Sequence, residues 1–253
     1  MVDHGIELKT APELERLRVS GALAAQVLHE IARNVRPGIA TFDLEEIAVA
    51  AIRRLRCKAA FRGYRGYPAA TCISLNHEVV HGIPSKKRII ASGDIVSIDI
   101  GIVFEGFYGD NAVSVIAGSA NHEDERLLTV TRDALYAGIE KAVLGNRLGD
   151  ISAAIQHTAE SNGYAVVRDY VGHGIGRAMH EPPQIPNYGT PGTGPRLETG
   201  MVLALEPMIN QGLYNVAVMD DGWTVVTQDG RKSAHFEHMI AITEDGPEIL
   251  TRV

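Results

Sequence analysis

The chain has 253 residues, 45% hydrophobic and 22% charged, which is ordinary globular composition with length enough to bury roughly 70–75% of the unfolded surface. Its formal charge of −7 excludes a generic nucleic-acid binder, and its two cysteines, Cys57 and Cys72, form neither a disulfide framework nor a CxxC pair. No apolar run approaches the ~20 residues that span a bilayer, and Met1 to Lys9 lacks a leader-like apolar core, so a cytoplasmic chain is expected.

Thr10-Ala-Pro-Glu13 has the form of a capping box, in which the hydroxyl accepts from an early backbone N–H and the glutamate reaches back. Leu14, Leu17, Leu23, Val27 and Ile31 then recur near helical spacing until Arg36-Pro37-Gly38 ends the run. Asp43-Leu-Glu-Glu46 starts a second helix through Ile47, Ala51 and Ile52. Residues 63–68, rich in glycine and tyrosine, read as a loop, and residues 70–75, 79–83, 95–103 and 112–116 read as strands.

The second half repeats this order. Glu15-Arg-Leu17 has a counterpart in Glu125-Arg-Leu127, and Val35-Arg-Pro-Gly38 with Asp43 one in Val143-Leu-Gly145 with Asp150. Val80-His-Gly-Ile83 is echoed by Gly172-His-Gly-Ile175, and the strand ending in Asp99 by the one ending in Glu206. Four matches in the same order imply an internal duplication, and solenoids would need more and shorter repeats. The expected architecture is one α+β domain over residues 1–253. Its pseudo-twofold halves, roughly 10–118 and 122–253, would share an antiparallel sheet with the cleft at their junction.

Within residues 95–100, Val96, Ile98 and Ile100 lie on one face while Ile95, Ser97 and Asp99 share the other. An ionised aspartate in an apolar strand is expensive unless it is paired or bound to a cation. A turn at Phe104-Glu-Gly106 would bring Asp110 within about a residue of facing Asp99, with no Lys or Arg between them. Glu206 and Glu237 likewise interrupt apolar stretches that read as strands. Each acid taken alone would more often be a hydrogen-bonded structural residue, and His173 alone a satisfied core histidine. Taken together, four acids in a duplicated fold plus His173 form a mostly hard donor set suited to Co, Mn, Fe or Zn. Two divalent ions would bring it near neutrality and could activate water for hydrolysis.

At these residues the sequence resembles the type I methionine aminopeptidases of the pita-bread metallopeptidase fold, in their short bacterial form. The motifs are Cys72-Ile-Ser-Leu-Asn76, Val80-His-Gly-Ile-Pro84, Asp99 with Asp110, Gly172-His-Gly-Ile-Gly-Arg177, His180-Glu-Pro182, Leu205-Glu-Pro-Met208 and Phe236-Glu-His238. The resemblance implies two pseudo-symmetric halves sharing a curved antiparallel sheet, with helices on its outer face. It implies five ligands for two divalent ions, Asp99, Asp110, His173, Glu206 and Glu237. His81 and His180 would contact the scissile group, Glu206 would also be the general base, and the substrate's α-amine would sit on the metal held by Asp99. Tyr64, Tyr67, Cys72 and Trp223 would build the methionine pocket, with Met179 where the family often has an aromatic residue. The implied substrate is the N-terminal methionine of a nascent polypeptide whose second residue is small, and Val2 would make the chain its own substrate. A monomer with no membrane or nucleic-acid partner is expected.

Other readings compete. His77-Glu-Val-Val-His81 matches the HExxH zinc motif, which needs a helix that β-branched Val79-Val80 and Gly82-Ile-Pro84 oppose. Gly172 to Gly176 lacks the downstream acid of a dinucleotide loop, and residues 189–194 lack the Lys-Ser/Thr of a phosphate loop and read as a mobile surface loop. Cys72 reads as a small buried hydrophobe, and His235 and His238 as outer partners of Glu237. Lys86-Lys-Arg88 reads as a solvated turn, a ribosome contact being its functional alternative. An X-Pro-cleaving peptidase and a non-catalytic binding protein on the same scaffold are the alternatives for the whole chain.

Overall fold

Among the described residues there are four α-helices, each opened by a side chain in or just before its first turn that accepts a backbone N–H. In this computed structural model, which describes residues 5–252, α1 (Ala11–Ala32) starts after Thr10, whose backbone N–H donates to Glu13 Oε2 at 2.9 Å. The Thr10 hydroxyl donates to the same carboxylate instead of accepting from the helix, so half of the expected box forms. α2 (Thr41–Arg54) and α4 (Leu148–Ser161) start alike. Asp43 accepts from Ala40 N at 2.9 Å, and Asp150 from Arg147 N at 2.7 Å. α3 (His122–Lys141) is capped by Asn121, which accepts from Asp124 N. Residues 1–4 and 253 lie outside the described residues, and with them Val2 and the first part of the Met1 to Lys9 stretch considered above.

Each helix pair covers one sheet. Leu28, Ile31 and Leu44 of α1 and α2 pack on Val96, Ile98, Ile100 and Ile102. Leu135, Ile139, Ile151 and Ile155 of α3 and α4 pack on Leu203, Leu205, Ile240 and Ile242. Each such side chain contributes roughly 1.5–3 kcal/mol of burial, which fixes the even-numbered face of strand Ile95–Phe104 outward and turns Asp99 inward.

Among the described residues all strand pairings are antiparallel, and they form four separate sheets. Ile95–Phe104 pairs with Thr71–Leu75, Lys58–Ala59 and Phe107–Ile116. Five strands run in the order Gly246–Ile249, His238–Thr243, Val202–Leu205, Gly172–Gly174, Glu181–Ile185. Met208–Asn210 pairs with Ser233–His235 and Ala165–Val166, while Val225–Thr227 joins Val216–Val218 to Glu78–Val80. A bridge between Ala112 and Glu237 links the halves. The fold is the expected α+β pita bread, with three local corrections. Residues 81–83 are not strand, because His81 takes a left-handed φ of 61° and leaves the ladder. The strand carrying Asp110 begins at Phe107. Glu206 and Glu237 stand between strands, not within them. Among the described residues, no helix is long and apolar enough to cross a membrane.

Candidate active site

Two acids come from one hairpin. Its turn is the two-residue Glu105-Gly106, both at positive φ (48° and 84°), a geometry that suits the right-handed twist of paired strands. Asp99 therefore pairs with Ala112, and Gly101 with Asp110, leaving the acids two positions apart on the diagonal where one was expected. The even offset keeps both carboxylates on the same face, and a one-residue offset would have separated them.

The other two acids come from a shared interruption. Leu205 pairs with His238 and Met208 with His235, so Glu206-Pro207 and Phe236-Glu237 lie opposite each other in one register. Pro207 has no N–H to offer a ladder. Freed from that pairing, Glu237 donates its N–H to Ala112 O at 3.0 Å, beside the acidic hairpin.

His173 is delivered by a strand of glycines. A Cβ on Gly172 would lie 2.4 Å from Ala204 O, and one on Gly174 would lie 2.2 Å from Pro182 O. Only glycine lets these backbones meet. His173 Nδ1 donates to Gly174 O at 2.9 Å, so Nε2 presents its lone pair to Glu206 Oε1 (3.5 Å) and Asp110 Oδ2 (3.9 Å).

Donor atoms of Asp110, His173 and Glu237 fall within 4.8 Å of one another. Asp99 Oδ1, Asp110 Oδ1 and Glu237 Oε1 are buried with no hydrogen-bond partner, and among the described residues no Lys or Arg pairs with any of the four acids. Burial pushes the Asp110 carboxyl up to about 7. Burial and then the Asp110 charge hold Asp99, Glu206 and Glu237 well above the usual carboxylate range. Burial, followed by the nearby His180, lowers His173 to about 4, so its imidazole is neutral. Orphaned oxygens beside a neutral imidazole are what a divalent cation satisfies, so the residues fit a metal.

The cluster opens into a cavity of about 290 Å³ whose wall includes all twelve residues singled out from sequence. Grooves of about 940 Å³ beside α2 and 480 Å³ between α1 and α3 are roomier, but the acids converge on the smaller space. Tyr67 donates to Thr71 O (3.0 Å) and Gly82 O (3.2 Å) and meets Trp223 edge-on at 5.1 Å. Cys72 faces Asp99 across the ladder, and burial, then that acid, push its thiol well up, so it stays protonated. Met179 is buried in the same apolar cluster. Tyr64 Oη lies 2.9 Å from His180 Nδ1 with the rings stacked, and His180 lies 4.3 Å from His173, ring to ring. Burial and then His180 lower His81 to about 4; burial and then the Arg65 charge lower His180. Phe61, Arg65, Asp169, Tyr170 and Val171 also line the cavity and had not been anticipated. Tyr170 meets His81 edge-on at 5.5 Å.

The competing motifs dissolve in the structure. His77 is an exposed turn residue, and Glu78 accepts from Leu75 N and Arg88, so no zinc helix exists. Arg88 also donates to Ile73 O and Ile83 O, which turns it inward and leaves only Lys86 and Lys87 on that turn. Residues 189–194 are tied to the start of α4, Gly192 N donating to Asp150 and Gly149 N to Thr193 O, and are not the free loop expected. Among the described residues, neither histidine flanking Glu237 hydrogen-bonds to it: His235 Nε2 is buried with no partner, and His238 Nδ1 meets Thr251.

Residues 15–244 match metallopeptidase family M24. The chain is 48% identical over 246 residues to "Methionine aminopeptidase" of Clostridium acetobutylicum, covering 97% of this chain and 98% of that one. It is 49% identical to "Methionine aminopeptidase 1" of Bacillus subtilis at 97% and 98% coverage. The chain belongs to metallopeptidase family M24. Within the family, a solved methionine aminopeptidase from Thermotoga maritima superposes with a TM-score of 0.96 at 50% identity, covering 98% and 100% of the two chains. A prolidase from Pyrococcus furiosus, at 22% identity and a TM-score of 0.77, covering 97% of this chain and 65% of that one, shares the fold. The M24 chain described here thus carries a buried acidic and histidine cluster able to hold metal.

Proposed function

We propose that this chain removes the N-terminal methionine from new polypeptides in the cytoplasm when the second residue is small. The observation that carries the reading is the group of three orphaned carboxylate oxygens, on Asp99, Asp110 and Glu237, beside an apolar pocket. Near-full-length relatives named as methionine aminopeptidases support it.

Asp99, Asp110, His173, Glu206 and Glu237 would hold two divalent ions (Co, Mn, Fe or Zn), which supply Lewis acidity for the scissile carbonyl and lower the pKa of a bound water. Glu206 is more open than Asp110, its side chain 16% exposed against 5%, so it can take up and pass on a proton as general base. Tyr64 Oη lies 2.9 Å from His180 Nδ1; in the tautomer where Tyr64 donates, Nε2–H is free to donate to the oxygen where negative charge develops. His81, neutral near pH 7, would hold the departing amide, backed by Tyr170. Tyr64, Tyr67, Cys72, Met179 and Trp223 form an apolar slot for an unbranched thioether side chain. The unit is read as a monomeric single domain over residues 1–253, built from duplicated halves of roughly 10–118 and 122–253.

The prolidase likeness shows the fold alone, and peptides separate the two activities. With metal-loaded protein, free methionine is expected from Met-Ala-Ser and no products from Ala-Pro, followed by chromatography. Cleavage of Ala-Pro with Met-Ala-Ser intact would overturn the reading.

A further inference from the structure

Arg65 is placed at the mouth of the cavity in a manner the turn itself does not require. It sits between Gly63 (φ 85°) and Gly66 (φ 90°) and takes a left-handed φ of 49°, a conformation that glycine adopts without strain. The knuckle is closed by backbone bonds alone, Gly63 N to Tyr67 O at 2.8 Å and Tyr67 N to Tyr64 O at 2.9 Å. A side chain kept at a strained position invites a functional explanation. Its guanidinium is also unspent. Arg18, Arg54, Arg62, Arg88 and Arg177 each meet a glutamate, whereas among the described residues no carboxylate pairs with Arg65, which lies over the Tyr64 ring, 5.4 Å from Cζ to the centroid.

The same ring stacks on His180 at 5.3 Å, so the guanidinium lies no further from His180 than these two distances laid end to end. An extended peptide advances ~3.3 Å per residue, so a third residue lies roughly 7 Å beyond the scissile carbonyl and its carboxylate could reach the rim. Asp169, exposed beside Tyr170, lines the same cavity with the opposite charge.

We propose that Arg65 forms a subsite for an acidic side chain at the third residue of the substrate, making it a specificity-determining residue. This rests on the aminopeptidase reading above and names a substrate preference of that same cavity. The third residue stays on the departing chain, so the subsite selects among polypeptides after the first two residues have been accepted.

The test compares kcat/KM for Met-Ala-Asp-Ser and Met-Ala-Lys-Ser in the metal-loaded wild type and in Arg65→Gln, Arg65→Glu and Arg65→Lys, at low and high salt. The ratio of the two peptides within each variant cancels any loss of overall activity. The wild-type ratio should exceed that of Arg65→Gln by about 3- to 5-fold, the scale of an exposed ion pair, and shrink with salt. Arg65→Glu should reverse the preference relative to Arg65→Gln, and Arg65→Lys should retain most of it. A ratio moving less than twofold between wild type and Arg65→Glu overturns the subsite. So does an equal shift for Met-Ala-Ser-Ser-Ser-Asp against its lysine counterpart, which would mean long-range steering. Absence of any methionine release from Met-Ala-Ser by the wild type would instead refute the underlying activity.

Discussion

Glu206 and Glu237 stand opposite one another across a two-residue gap in adjacent strands, bounded by the pairs Leu205 with His238 and Met208 with His235. The gap spares both acids from the ladder, and Glu237 bonds through its backbone to Ala112, next to the Asp99–Asp110 hairpin. Two acids from each half are thereby buried together, an arrangement that costs free energy unless cations or protons neutralise it.

That cost has a pH signature. Asp110 has a folded pKa of about 7, above its unfolded value near 4, so its protonated form favours folding. The contribution is fully present below about 4 and is lost as pH rises through about 7. Asp99, Glu206 and Glu237 shift in the same direction. Metal-free Asp110→Asn should therefore gain Tm over metal-free wild type between pH 4 and 7, measured by calorimetry, while losing metal affinity and activity by at least about 100-fold. An Asp110→Asn protein less stable than wild type at pH 8 without metal would show that the acid is structural.

Metal uptake should release protons, because the acids must ionise to bind. More should be released at pH 6 than at pH 8, since Asp110 is mostly protonated only at the lower value. Titration in buffers of differing ionisation enthalpy reads this directly. Equal release at both pH values would mean that Asp110 does not titrate between them, and no release at either would mean that the acids are already ionised without metal.

The two neighbouring histidines of the zinc-like motif should part company. His77→Ala removes an exposed turn residue and should keep metal and most activity. His81→Ala, which strips the cavity wall beside Tyr170, should lose about 10²–10⁴ in kcat. Equal losses in the two variants would contradict this placement.

Gly174→Ala would set a Cβ 2.2 Å from Pro182 O, with no flexible side chain to yield. A loss of about 1–3 kcal/mol is expected, seen as a lowered Tm, together with weaker metal binding as His173 shifts.

Glu45 tethers the segment that builds the methionine pocket. It accepts from Ala70 N (2.8 Å), Thr71 N (3.0 Å), Thr71 Oγ1 (2.7 Å) and Arg62 (2.7 Å). Glu45→Ala should cost about 3 kcal/mol through the donors left unpaired. KM for Met-Ala-Ser should rise more than kcat falls, because Tyr64, Tyr67 and Cys72 lie in or beside the released segment. Glu45→Gln should recover part of both.

Asp99 was legible because alternation in residues 95–100 marks the face that an ionised side chain should avoid. Glu206 and Glu237 were legible as acids in apolar surroundings, but their position was not. A gap in a ladder depends on the partner strand, and Pro207 was its sole local trace. The turn length set the Asp99–Asp110 offset, which a turn read at Phe104-Glu-Gly106 gave only to within a residue. Phe61, Arg65, Asp169 and Tyr170 lie in segments without periodicity, and only folding brings them to the cavity. The tether from residues 189–194 to α4 likewise depends on backbone groups that carry no sequence signal.

Stripping the protein of metal and restoring single divalent ions, with methionine release from Met-Ala-Ser as the readout, tests most directly whether these buried acids form a working centre. Activity should vanish on stripping and return with at least one of Co, Mn, Fe or Zn, while Asp110→Asn stays inactive with all four. Full turnover by thoroughly chelated protein would contradict it.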